Sequence, residues 1–352
     1  MIGAISEKYS QCEEWEEMIM DNTGREAFWN VLKDLHDSSG YKLTSVLLQP
    51  KYLCRFRPVS QSSLTQLNDN TLFFSSANYY DDPFDTYFYL DTKQMAVRYN
   101  EMRQLLTERN PEFMNSMKQI AAFIGQNSDD FINILSESEP DFSNIQEQLL
   151  DIRSSIQKRL FSICFCEDPY NETLWLKYAS NYSGFVQLYD MDDQNTMMCG
   201  KGKECQGCPT VNPIPAIYPV YYSDKRYDAT RYAVGMMMLN QIHIQNNRAV
   251  DPLCDLLRES LLWEAERISL IKKKCHENDQ EWRMIRPIMT EERSYIKMKP
   301  CKVIIGLRTP DYESRLIVSA ALNAGVKEIH RLFINDDDRL DSKSVSTELY
   351  HL

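Results

Sequence analysis

Long apolar runs are missing from this chain. The longest fall far short of the roughly 20 residues that a membrane span requires. Residues Met1 to Lys8 also lack a basic segment leading into an apolar one. A cytoplasmic protein with no membrane partner is therefore expected. Glycine is scarce, with 11 in 352 residues, and no glycine-rich phosphate loop is present. The five histidines are isolated, and none sits in a Ser-His-Asp or Cys-His arrangement that spacing alone supports. Basic residues are outnumbered 39 to 51, a formal charge of −12, so the molecule as a whole repels phosphate backbones. General nucleic-acid binding is not expected, and any such contact would have to be local. Ten cysteines are scattered without a secretion signal, which points to free thiols or a metal site rather than a disulfide framework. There is no internal repeat and no low-complexity linker to divide the chain.

What the chain does have is one dense stretch, Leu72-Phe73-Phe74-Ser75-Ser76-Ala77-Asn78-Tyr79-Tyr80-Asp81-Asp82-Pro83-Phe84-Asp85. It starts as an apolar strand, passes two hydroxyls and two tyrosines, and closes on three carboxylates around a proline. The three carboxylates repel one another unless cations, backbone amides or a metal offset the charge, although a structural Asp-Pro turn is the simpler alternative.

Helical spacing of Trp15, Met18, Phe28, Val31, Leu32 and Leu35 predicts an N-terminal helical segment over 1–48. A single α+β domain over 49–335 follows, with a helical insertion near 92–160, a cysteine-containing loop near 191–215 and a loose tail over 336–352. Strands are predicted at Tyr52–Arg57, Leu72–Ser76, Thr86–Leu90, Leu160–Cys166, Phe185–Asp190, Ala216–Tyr222, Val303–Leu307 and Val326–Ile334. Pro219 marks its strand as an edge. The fold class is a mixed α/β (α+β) unit on a central mixed or antiparallel sheet.

On the first strand, Arg55 and Arg57 share a face opposite Cys54 and Phe56. Such a pair suits a bidentate grip on a pyrophosphate or carboxylate, or it neutralises Asp and Glu elsewhere in an acidic protein. Asp279-Gln280-Glu281-Trp282-Arg283 opens a late strand with Glu281 and Arg283 on one face. A carboxylate so placed can stabilise developing positive charge, as in glycosidic cleavage, or can simply form an edge ion pair. Cys199, Cys205 and Cys208 supply three thiols with glycines between them, a possible structural zinc loop. Cys164, Cys166, Cys275 or His276 would have to provide the fourth ligand.

Several of these segments together resemble a bacterial and phage-encoded family, the domain-of-unknown-function family 2971. They are Tyr52 to Arg57, Leu72 to Ser76 through Asp82-Pro83-Phe84-Asp85, Phe161 to Phe165 with Leu174 to Ala179 and Gly184-Phe185-Val186, and Asp279 to Arg283 with Val303 to Gly306. Asp81 stands where that family usually has asparagine, and Cys166 where it has serine. The order of the strands is also similar to the three-part layout of ADP-ribosyltransferases. That similarity implies an ADP-ribosyltransferase-like sheet in which Arg55 or Arg57 holds the pyrophosphate of NAD. Ser75 and Ser76 would brace the nicotinamide ribose, Tyr79 or Tyr80 would stack on nicotinamide, and Glu281 would stabilise the ribosyl cation. Asp82, Asp85 and Arg283 would complete the nucleotide site. Asp279 replaces the usual Glu or Gln two residues before the glutamate. The resulting expectation is a cytoplasmic NAD-using enzyme, a toxin or antiphage effector, acting on a nucleotide substrate and an undefined macromolecular acceptor.

Two other classes fit the same residues. In a metal-dependent phosphodiesterase or nuclease, Asp81, Asp82, Asp85 and Glu281 would hold a divalent ion while Arg55, Arg57 and Arg283 face phosphate. A non-catalytic binding module with a zinc-stapled loop would use neither.

Overall fold

The computed structural model describes residues 21–35, 41–123, 127–137, 153–154, 157–158, 160–192, 197–199, 217–234, 237, 263–287 and 295–346. The expectations for residues 1–20 and for Cys205 and Cys208 fall outside these residues. The strands, in chain order, are β1 Tyr52–Arg57, β2 Thr71–Phe73, β3 Ser75–Ser76, β4 Leu160–Cys166, β5 Phe185–Asp190, β6 Met197–Cys199, β7 Ile217–Pro219, β8 Tyr221–Tyr222, β9 Ile271–Lys272, β10 Glu281–Pro287, β11 Tyr295–Met298, β12 Lys302–Ile305, β13 Glu328–Ile334 and β14 Leu340–Ser344.

A central mixed sheet runs β14-β13-β12-β5-β1-β4-β10-β7, with β3 paired to β4 off this path. Its neighbours are antiparallel except β12 and β13, which the Asp311–Asn323 helix connects in parallel. The protein is thus mixed α/β. Alternation on β1 sends Leu53 into a cluster with Phe165, Tyr189, Trp282 and Met284 on one side. Cys54 and Phe56 go to Trp175, Val186, Leu188 and Ile304 on the other. Trp175 and Trp282 are fully buried, and their indole N–H groups donate to Pro169 O and to the Glu167 carboxylate. Their burial is worth about 3–5 kcal/mol each on the scale of Trp→Ala substitutions. Pro219 lies in β7 at the end of the sheet, where the lost N–H costs least.

The predicted strand over Leu72–Ser76 is divided. β2 pairs with β11 in a three-stranded sheet, while β3 pairs with β4 in the central one, so Phe74 is the changeover. The strand predicted at Thr86–Leu90 is instead a turn with one bridge, Tyr89 to Asp228, because Thr86 adopts φ +56°. After Asp336 the chain forms β14, paired along β13, where a loose tail was expected. Ser60 and Ser63 make a reciprocal capping box that starts the Gln61–Asn68 helix.

Helices Met95–Thr107, Pro111–Phe123 and Ser128–Glu137 share a core of Phe88, Tyr99, Phe131 and Leu135 with Ala229, Ala233 and Ile268. At the end of β1, the turn Ser180-Asn181-Tyr182 takes three successive left-handed conformations. It runs so close that a Cβ on Gly184 would meet Arg57 O at 2.2 Å.

Candidate functional site

The central sheet is split at its middle. β4 pairs with β1 only at Cys166 and Cys54, and further along it pairs with β3, Ser162 opposite Ser75. Between those two junctions β1 and β4 part, and the opening is a cavity of about 320 Å³, at the small end of ligand pockets, which run from roughly 300 to 1,000 Å³. Arg55, Arg57, Ser75, Tyr79, Tyr80, Asp81, Asp82, Asp85, Glu281 and Arg283 all line it. Ser76 does not. Its hydroxyl accepts from Asn78 N and donates to Gln157 O, capping the short turn Ala77–Tyr79. Sequence reasoning missed further lining residues, Lys272, Ser162 and Tyr178 among them.

On one side of the cavity is a closed charge network. Arg283, 1% exposed, donates from Nη1 and Nη2 to the two oxygens of Asp85 at 2.8 and 2.6 Å, and from Nε to Glu281 Oε1 at 2.6 Å. Lys272 Nζ lies 3.0 Å from Glu281 Oε2 and 3.2 Å from Asp279 Oδ2. Burial pushes the Glu281 carboxyl up, but Arg283 and Lys272 outweigh it and hold the group well below the usual carboxylate range. Burial lowers Lys272, and its carboxylate neighbours, Glu281 first, raise it further still. Three carboxylates (Asp85, Asp279, Glu281) face three cations, Arg283, Lys272 and, 3.8 Å from Asp279, Lys177, so the network is formally neutral. Glu281 is thereby an ionised carboxylate on the cavity wall. The Glu281 backbone is fixed as well: its N–H donates to Tyr222 Oη and its carbonyl accepts from Arg25 of the Asn22–Lys33 helix, both within 2.9 Å.

On the other side are the two arginines, with far less compensation. Arg55 Nη1 is buried and has no hydrogen-bond partner among the described residues, and neither has the Tyr189 hydroxyl. Arg57 donates to the neutral Gln66 side chain at 3.2 Å. Burial, then the neighbouring Arg55, lowers the Arg57 guanidinium to about 10. An anion between these groups would satisfy an orphaned donor and relieve the repulsion of two like charges.

The tyrosines divide. Tyr79 is 80% exposed at the mouth, free to stack on a planar group. Tyr80 is pinned inside by a hydrogen bond with Ser162 Oγ and lies under the Arg283 guanidinium. Asp82 caps Phe84 N and sits 3.3 Å from His276. Burial pushes the Cys164 thiol up to about 12, so it is protonated at neutral pH.

Among the described residues no three His, Cys, Asp or Glu side chains gather to hold a metal ion. The zinc ligands proposed from sequence fall largely outside those residues, and of Cys199 only its backbone is placed, at the end of β6 opposite Ile296. The carboxylates of Asp85 and Glu281 already face cations, whereas Arg55 and Arg57 are cations awaiting an anion.

No family model, curated protein or solved structure matches the chain. The resemblances above therefore rest on their quoted motifs. Also among the described residues, no helix is long and apolar enough to cross a membrane.

Proposed function

We propose that this chain is an NAD-using ADP-ribosyltransferase-like enzyme working in the split of its central sheet. The observation that carries this reading is that Arg55, Ser75 and Glu281, distant in sequence, line one cavity. The pyrophosphate of NAD lies against Arg55 and Arg57, which offer charge-assisted donors that no carboxylate among the described residues engages. Ser75, exposed at the rim, meets the nicotinamide ribose, and Tyr79 covers the nicotinamide ring.

As the bond from ribose C1′ to the nicotinamide nitrogen breaks, its electron pair leaves with neutral nicotinamide and positive charge develops on the ribose. Glu281, held ionised by Arg283 and Lys272, stabilises that charge without reorganising. Asp279 is buried and bound to Lys272, so it is not free to orient a protein side chain as the Glu or Gln of the comparable enzymes does. The acceptor is then water or a group supplied by another partner.

The test is NAD titration by calorimetry with nicotinamide release followed in parallel, with and without a chelator. Binding and release that survive chelation support the reading. Metal-dependent cleavage of a phosphodiester or pyrophosphate bond without nicotinamide release supports the phosphodiesterase alternative.

A further inference from the structure

The loop that carries Asp85 into the cavity has a different outer side. Phe84 is 52% exposed, and the Tyr87 ring packs against it edge-on at 6.3 Å. Lys273 lies over the Phe84 ring at 4.6 Å, Arg226 lies over both Phe84 and Tyr87 at 5.3 and 5.0 Å, and Arg153 lies over Tyr87 at 4.5 Å. The order is an alternating row of cation, ring, cation, ring, cation. The polar contacts of Arg226 and Arg153 go to the carbonyls of Phe84, Tyr87 and Phe88 and to the Tyr87 hydroxyl. No carboxylate among the described residues pairs with any of the three cations. The acidic residues of the same loop, Asp81, Asp82 and Asp85, line the cavity instead. Tyr79 stands at that mouth, and Lys273 directly follows Lys272, whose ammonium enters the cavity.

In a chain of net charge −12, three cations that have no carboxylate partner among the described residues and lie beside exposed rings make a local site for a polyanion. Rings flanked by cations suit a partner with both flat π-faces and phosphates, which an acidic peptide does not combine. We propose that this row docks single-stranded nucleic acid and delivers an acceptor group from it to the cavity. The acceptor role rests on the NAD reading above. In the transfer, the C1′–nicotinamide bond breaks, a C1′–O or C1′–N bond to a base or sugar forms, and the acceptor's proton passes to solvent. Arg226 and Arg153 also hold the loop through its carbonyls, so the variants that probe docking are Lys273→Glu and Phe84→Ala, both exposed and outside the cavity.

The experiment is fluorescence anisotropy of labelled single-stranded DNA and RNA of about 15 nucleotides with the full chain, alongside radiolabelled NAD turnover. Wild type is expected to bind, with log K falling against log salt at a slope of about −2 for three phosphates. A duplex of the same sequence should bind more weakly, because its bases cannot stack on the rings. The double variant should keep its melting temperature and nicotinamide release while losing at least tenfold in oligonucleotide affinity and the label on the oligonucleotide. Release of nicotinamide with no oligonucleotide binding, or with binding unchanged in the double variant, overturns the docking surface and leaves the NAD reading intact. Binding lost in the variant but with no NAD turnover keeps the surface and overturns the acceptor role. DNA against RNA in the label assay identifies which strand type serves.

Discussion

Arg283 holds Asp85 by two parallel N–H···O bonds, 2.8 and 2.6 Å, across 198 residues of sequence and with both side chains buried. This pair ties the acidic loop to the strand that carries Glu281, so the wall of the cavity is built from two ends of the chain at once. Removing Asp85 takes the bidentate carboxylate from a buried guanidinium and leaves Glu281 as its remaining acidic partner. Asp85→Ala is expected to destabilise the fold by about 3–5 kcal/mol in urea unfolding, whereas Asp81→Ala, at an exposed position, should stay within about 0.5 kcal/mol.

Arg55 is the opposite case. With no hydrogen bond on Nη1 and with Arg57 beside it, its removal takes away repulsion as well as packing. Arg55→Ala should leave the melting temperature unchanged or raised, and should weaken NAD binding by about 10–100-fold, the equivalent of one charge-assisted hydrogen bond. Calorimetry on the variant checks both the direction and the size.

Gly184 leads the left-handed turn into β5, against the end of β1 that carries Arg57. A methyl group there would sit 2.2 Å from Arg57 O, against backbone that cannot rotate away. Gly184→Ala is therefore expected to cost more than about 2 kcal/mol and to weaken NAD binding along with stability, because β1 must shift where it carries Arg57. Thermal melts and NAD titration on one preparation would show the two effects together.

Glu266 gives a pH signature distinct from the site. Burial, opposed by Arg267 but aided by Glu264, raises its carboxyl to about 7. In the unfolded chain the group titrates near 4.3, so from about pH 4.3 to 7 the folded state binds more protons and stability falls as pH rises. Glu266→Gln should flatten that slope and stabilise the protein more at pH 8 than at pH 5. Glu281 has the reverse sign. Its folded value is depressed, so its contribution is fully present above the unfolded value and is lost only in strong acid.

What could be read from the sequence was local. The alternation of Tyr52 to Arg57, the edge proline at 219 and the shared face of Glu281 and Arg283 are all set by period or by side-chain chemistry within a few residues, and each is present in the fold. The break at Phe74 was not legible, because β2 and β3 differ only in their partners, β11 and β4, which lie far along the chain. Lys272 and Arg25 carried no signal either. One is the first of three consecutive lysines and the other belongs to an ordinary amphipathic helix, and only tertiary packing brings them to Glu281. The stretch from Leu72 to Asp85 proves to be two strands and a turn serving three different neighbours.

The most direct measurement is nicotinamide release from NAD by wild type and by Glu281→Gln, each shown by circular dichroism to be folded. The account predicts release by wild type and a loss of about 10²–10³-fold in the variant, with NAD still binding through Arg55 and Arg57. NAD that neither binds nor is consumed by wild type, or that Glu281→Gln consumes at the wild-type rate, would contradict it.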